Sequence, residues 1–522
     1  MLDKRRAHWS EWVTTALAVL WLAFFPLWHG GSYSHITRDK WVAMLMLAGV
    51  TVAACLTMLI VLACRGELRR LKFTWVHMAA LAYFGLVGLS GLLGSWADHM
   101  GAEGVKLFWG SDGLKAIWDT DGLTVIWGSG RYEGLITQGC YLLIFLCMSL
   151  TGVRASWLLD AAALSMLAQC AIIGIQYFDV NVFVLFPVGT SIRLHPEFQG
   201  TIGNTNMVVG YIGLVMPALL FGFALKKRGG WLWLLSGTAA VLLSLCINVD
   251  GALVLLAATM FFLVLLALRN PECRPRVMTI LGLALMMLSV RMLLGLPWLD
   301  GTETLAFPHA PTLLKVLPVL AGVVLLALAV VLKHRPGPAM PVGWIAALAA
   351  VLVMAGFAVV YFAAFPENHF LWQLQEILHG RPQDAFGSER IGIWRITLEM
   401  NEGNRLWGTG PDTFLFAMDQ YLRVTGQSLT QRFDAPHNLL LGVLSNNGLP
   451  ALVMFIVLCG GAKVQGLRRA GKDASVMPLV LAAAGYMIQG MFTFSICLVT
   501  PMFWAALGLL TGQLQERNEE SL

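Results

Sequence analysis

Residues 432–438 read Arg-Phe-Asp-Ala-Pro-His-Asn and run straight into the apolar stretch LLLGVLSNNGLP. A guanidinium, a carboxylate, an imidazole and an amide therefore meet the start of a hydrophobic helix. Imidazole can take or give a proton near neutral pH, and guanidinium grips phosphate oxygens with parallel donors. A helix start adds unpaired N–H groups and a positive dipole end that favour anions. This reading makes Asp434 the N-cap, with Pro436 in the first turn and His437 and Asn438 beside it. Asn438, Gly442 and Ser445 then share a small polar face. Asn446-Asn447-Gly448 and Pro450 either end a half-helix or kink a longer one.

Upstream, SERIGIWRITLEM (388–400) reads as a helix with Ser388 as a possible cap. Arg390 and Trp394 share a face, whereas Arg395 lies about 140° around the helix from Arg390. The two arginines therefore do not form one clamp, and Arg395 is spaced to pair with Glu399. WGTGPDTFLFAMDQYL (407–422) suggests a turn and a second helix from near Pro411, with Asp412 in its first turn. Gly408 and Gly410 suggest close backbone packing, and no Lys-Ser/Thr follows to make a phosphate loop.

Further polar residues stand at other span mouths. Arg131 either pairs with Glu133 or faces a cavity above the bundle. In TIGNTNMVVGYI (201–212), Asn204 can cap a helix. Capping leaves Asn206 without a role, so a polar ligand is the other reading. Arg193 and His195 lie just before. Asp250, in NVDGAL, reads as a tight turn at the outer surface, or as an intramembrane carboxylate if its spans shift inward. No paired-carboxylate metal motif, HExxH or Cys/His zinc spacing is present, so neither metal nor cofactor is expected.

These residues need a scaffold, and composition states what it is. Of 522 residues 57 % are hydrophobic and 12 % charged, with a mean hydropathy of +0.71. A soluble domain usually carries about a quarter charged residues. Long apolar runs recur throughout, and lipid requires each span to satisfy its own backbone, so an all-α polytopic membrane protein is expected. About fourteen transmembrane helices (12–14) are expected, at roughly 11–28, 41–63, 74–92, 134–151, 156–178, 205–225, 231–249, 251–268, 277–296, 312–332, 342–362, 449–467, 474–491 and 494–512.

A cytoplasmic N-terminus places 21 of the 35 Lys and Arg on the inner side, in the sense of the positive-inside rule. Both termini are then cytoplasmic and the 370–447 stretch, with six of the other fourteen, lies outside. The nine cysteines form no CxxC pair and read as reduced, packing thiols. Positive charge is not pooled, so no nucleic-acid partner is expected. The chain divides into a three-span segment (1–92), a Trp/Gly/Asp-rich outer loop (93–133) and a central bundle (134–362). A large outer loop (363–435) and a terminal His-Asn helix with the last spans (436–522) follow. The repeats WGSDGL, WDTDGL and WGSGRYEGL in the first outer loop suggest interfacial Trp anchors, with sugar stacking as the alternative.

GRYEGL (130–135), GTIGNTNMVVGYI (200–212), SERIGIWRITLEMNEGNRLWGTGPDTF (388–414) and APHNLLLGVLSNNGLPAL (435–452) together resemble the O-antigen ligase and polymerase (Wzy/WaaL) family of bacterial membrane proteins. The last two are the specific motifs, and the likeness spans about 130–510. It implies a GT-C-like, metal-independent, inverting glycosyltransferase in the bacterial inner membrane, with its active site on the outer face. The donor would be an undecaprenyl-diphosphate-linked glycan, and the acceptor a glycan, lipid or protein. The family's catalytic histidine corresponds to His437 and its loop arginine to Arg390. Arg131, Asn204 and Asn438 correspond to other polar positions, and Arg395 to a second phosphate contact. Asn206, Arg432 and Arg193 complete the candidate binding set. One departure is Val249-Asp250-Gly251, where many members carry Ser-Arg-Gly. The competing reading is a transporter or flippase of lipid-linked sugars or a small polar solute.

Overall fold

The structure is a computed structural model that describes residues 9–515 except 69–72, 96–124, 188, 193–196, 248, 294–311, 335–336, 366 and 368–369. Arg193, His195 and the first two Trp repeats lie outside the described residues. So does most of the first outer loop.

The apolar runs form helices: α1 (Trp9–Leu27), α2 (Ile36–Cys64), α3 (Trp75–Leu93), α4 (Leu135–Met148), α5 (Ala155–Tyr177), α6 (Thr205–Leu225) and α7 (Trp231–Cys246). They continue as α8 (Asp250–Arg269), α9 (Arg274–Leu293), α10 (Thr312–His334) and α11 (Val342–Phe362). After the loop helices α12 (Phe370–Leu378), α13 (Phe386–Met400) and α14 (Phe414–Thr425) come α15 (Leu439–Ala470), α16 (Met477–Gly490) and α17 (Thr500–Gln515). Ten helices among the described residues are long and apolar enough to cross a membrane. The chain is a polytopic helical membrane protein. Shorter helices α4, α7, α16 and α17 occupy the other four expected positions. Among the described residues strand is limited to the antiparallel pair β1 (Phe198–Gln199) and β2 (Gly203–Asn204) at the mouth of α6.

The bundle is centred on α6, whose apolar window is 94 % buried, whereas that of α11 is 6 % buried. Glycine makes the central crossing possible. A Cβ on Gly213 would sit 2.8 Å from the Gly485 carbonyl oxygen, so α6 and α16 meet backbone to backbone. Lys40 is fully buried and donates to the carbonyls of Phe25 and Pro26, where α1 ends.

The loop between α11 and α15 has a small core of its own. Ile393, Ile396 and Met400 of α13 pack on Phe414, Ala417 and Met418 of α14 and on Phe433. Main-chain bonds fasten this unit to α15. A kink at Gly448 (φ 82°) interrupts the helix, and the carbonyls of Ser445 and Asn446 accept from the N–H groups of Thr409 and Gly410, both at 2.8 Å. Leu449 N–H donates to Arg405, and Ser90 Oγ of α3 also reaches the Asn446 carbonyl. The helix that starts at Leu439 thus continues through a kink into the following span, the second of the two sequence alternatives.

Candidate functional site

The three residues before Arg390 decide where its side chain goes. Gly387, Ser388 and Glu389 all take left-handed backbone, φ 63°, 57° and 65°. Ser388 is therefore not a helix cap, and the regular helix begins near Arg390. Trp394, one turn on, donates its indole N–H to the Pro436 carbonyl at 2.9 Å. That bond ties the Arg390 face of α13 to the head of α15. Arg390 is 14 % exposed at its side chain, with Nη1 3.2 Å from the Gly387 carbonyl and 3.6 Å from Asp250 Oδ2. Its Nε is buried without a partner. An unpaired buried guanidinium N–H is costly, which favours an anionic ligand at that position.

The head of α15 differs from the sequence expectation. Asp434 is not the cap and His437 is not in the first turn. Asn438 is the N-cap, its Oδ1 accepting from Leu440 N–H at 3.0 Å and Leu441 N–H at 3.1 Å. Its amide also donates to the Met491 carbonyl. His437 precedes the helix at φ 49°, a conformation that costs a non-glycine residue roughly 1–2 kcal/mol. The ring stands edge-on to Phe494 at 5.0 Å and Phe433 at 5.9 Å. Burial first, and then the charges of Arg390 and Arg131, lower its pKa to about 4. His437 is therefore neutral at ordinary pH and free to accept a proton.

Asp434 instead turns back to Arg131, accepting from its Nε at 2.8 Å, with the carboxylate 53 % exposed. Of the two sequence alternatives, the Arg131–Glu133 pair is not formed. Arg131 lies 4.3 Å over the Phe494 ring, so Phe494 is shared between Arg131 and His437. Its Nη2 is buried and unpartnered. Glu133 bonds to Tyr141 and Ser495, and burial raises its pKa to about 8. Asp412 does not open a helix at Pro411, since α14 begins at Phe414. It sits at φ 59° and accepts from the Glu133 N–H at 3.2 Å.

Two cavities follow. One of about 380 Å³ is lined by Thr205, Asn206, Asp250, Arg390, Arg432 and His437, among others. The second, about 60 Å³, holds Arg131, Glu133 and Asp412 against Tyr486, Phe494 and Trp504. Asp434 borders both. The larger cleft thus gathers residues from the 204–206 mouth, the head of α8, the loop and the head of α15. Asn204 caps α6 by accepting from Asn206 N–H at 2.9 Å. The Oδ1 of Asn206 is buried without a partner and its side chain lines the cleft.

Other candidates lie elsewhere. Arg395 is exposed and saturated, at 2.7 Å from Asp384 and 2.8 Å from Glu399, and does not line the cleft. Arg432, at the cleft edge, is held by Asp419. Asp250 is not a surface turn. It opens α8 and lines the cleft. Sequence reading gave Glu133, Asp412 and Phe494 no site role, because their burial depends on segments hundreds of residues away. No group of three or more His, Cys, Asp or Glu able to hold a metal ion occurs among the described residues.

No curated protein matches this chain. Residues 313–456, which include Arg390, Arg432, Asp434, His437 and Asn438, match the family model described as O-antigen ligase (Wzy_C). That segment, a little over a quarter of the chain, is similar to the O-antigen ligase/polymerase family.

Proposed function

We propose that this protein is an inverting glycosyltransferase that moves a glycan from an undecaprenyl-diphosphate carrier to an acceptor hydroxyl. The observation that carries this reading is the meeting of Arg390 and His437 in one 380 Å³ cleft, within the segment that matches the O-antigen ligase family. Basic inner connections support cytoplasmic termini in the bacterial inner membrane and a cleft on the outer face, where polyprenyl-linked donors are presented.

The donor's diphosphate lies against Arg390, whose unpaired Nε supplies a donor already in place. Thr205 and Asn206, which line the cleft, add polar contacts around it. The acceptor hydroxyl faces His437 and attacks the anomeric carbon as the bond to phosphate oxygen breaks. The electron pair leaves with the lipid diphosphate, and the hydroxyl proton passes to His437 and then to water. Charge develops on the leaving phosphate, where a fixed guanidinium in a dry site counts most. A base lowered to about pKa 4 is weak, so it takes the proton late, once the acceptor oxygen has begun to bond.

Acceptor class (a growing glycan, a lipid or a protein) is decided by purified protein given native lipid-linked repeat units with each acceptor. Product length separates polymerisation from single transfer. Full transfer by Arg390→Ala or His437→Ala would sink the assignment. The transporter reading rests on the fourteen spans and on Asp250 as an intramembrane carboxylate, and Asp250 lies at a helix head in the cleft beside Arg390.

A further inference from the structure

A carboxylate beside a phosphate grip works against the anion that the grip holds. Asp250 occupies that position, 36 % exposed, with Oδ2 3.6 Å from Nη1 of Arg390. The spacing is that of an ion pair without a well-formed hydrogen bond, so the contact is close enough to compete and loose enough to exchange. The other charged groups of the cleft are committed: Asp434 to Arg131 and Arg432 to Asp419. Arg390 keeps an unpaired Nε beside this contact. Its charge is therefore divided between Asp250 and whatever anion enters.

We infer that Asp250 is a specificity-determining residue that sets how strongly the cleft prefers the glycan-bearing donor over the released lipid diphosphate. The inference rests on the diphosphate reading above. In the donor the diphosphate is esterified at both ends and carries two negative charges. Transfer frees its terminal phosphate, which at neutral pH gains about one further charge because its second ionisation lies near pH 6. A cleft furnished with cations alone would therefore hold its product more tightly than its donor and turn over slowly. A fixed carboxylate repels the more highly charged product more, and it offers Arg390 a partner as the product leaves. Asp250 acts through Arg390 and through the field of the cleft. It takes no part in bond making.

The test uses the full chain in lipid nanodiscs and two probes, farnesyl diphosphate and its N-acetylglucosaminyl diester. Asp250→Asn keeps the shape and removes the charge. It is expected to tighten farnesyl diphosphate by about tenfold and the diester by about threefold, the scale of partly exposed charge pairs. Asp250→Glu is expected to restore the wild-type ratio, which a merely structural role would not do. An unchanged thermal midpoint identifies folded Asp250→Asn, and Asp250→Ser serves if asparagine disturbs the helix start. Equal tightening of both probes, or none, overturns the inference while the diphosphate reading stands. If Arg390→Ala binds both probes as wild type does, the diphosphate reading itself fails.

Discussion

Arg390 and Arg395 stand five residues apart on α13, and the two sides of that helix treat them differently. On the outer side Arg395 has Asp384, Glu399 and Gln427 within reach, and its charge is fully answered by the loop itself. On the inner side Arg390 is nearly buried, with one carbonyl, one loosely placed carboxylate and an orphaned Nε. The same residue type thus holds the loop together on one face and keeps an unpaired donor on the other. Desolvated donors left unpaired mark a binding surface better than the mere presence of arginine does.

The largest break in this contrast should come from Arg390→Ala. Transfer is expected to fall by about 10³-fold or more, as when a donor aimed at developing charge is removed, while membrane insertion and thermal midpoint hold. Arg390→Lys should recover little, because one ammonium cannot replace the fork. Next comes His437. Its alanine variant should lose about 10²- to 10⁴-fold in rate, and His437→Gly, which also relieves the left-handed backbone, should regain activity with added imidazole. Absence of rescue would argue that the ring is structural.

The pH profile sharpens the same point. The proposed mechanism requires a neutral His437, so kcat/KM should stay level down to an acid limb near pH 4. Bound diphosphate cancels part of the Arg390 charge that helps depress the imidazole, so the limb in kcat should lie higher. Coincident limbs would mean that donor and imidazole do not share a field.

Glu133 provides an intermediate case, sealed in yet satisfied. Burial keeps its carboxyl protonated up to about pH 8. Because the folded value is raised, the native state holds a proton that the unfolded chain releases above the ordinary value of 4.5. Stability should therefore decline as pH rises from about 4.5 to about 8 and then level off. Glu133→Gln should flatten that decline in thermal midpoints. The smallest effect belongs to Arg395→Ala, with transfer within about threefold of wild type and a stability loss below about 1 kcal/mol, as befits an exposed pair. A large loss of transfer there would erase the contrast between the two faces.

How much of this was legible beforehand follows the range of the forces involved. Each expected span carries its own apolar signal, and all fourteen positions hold helices. The separation of Arg390 from Arg395 is likewise local, a matter of helical angle. Asn204 as a cap, with Asn206 left over, was legible for the same reason. The head of α15 was not. Asp434 has the right type and spacing for a cap, but Arg131, some three hundred residues away, outbids the helix for it. Asn438 then caps in its place and His437 is forced into left-handed backbone. Ser388 misled in the same way, since its local preference gave way to a left-handed turn that aims Arg390. The errors cluster around the cleft, where distant segments override local preference.

The fastening of the loop at Gly448 has one more consequence. Its bonds run between main-chain groups of 405–410 and 445–449, and a Cβ at Gly448 would fall 2.2 Å from the Leu406 carbonyl oxygen. A dock written in backbone is blind to the side chains displayed above it. Exposed side chains that neither pack on α13 nor pair across the loop can therefore vary without altering this main-chain seam. The position of this part of the loop against α15 is thus set by the seam at Gly448 rather than by its display of side chains.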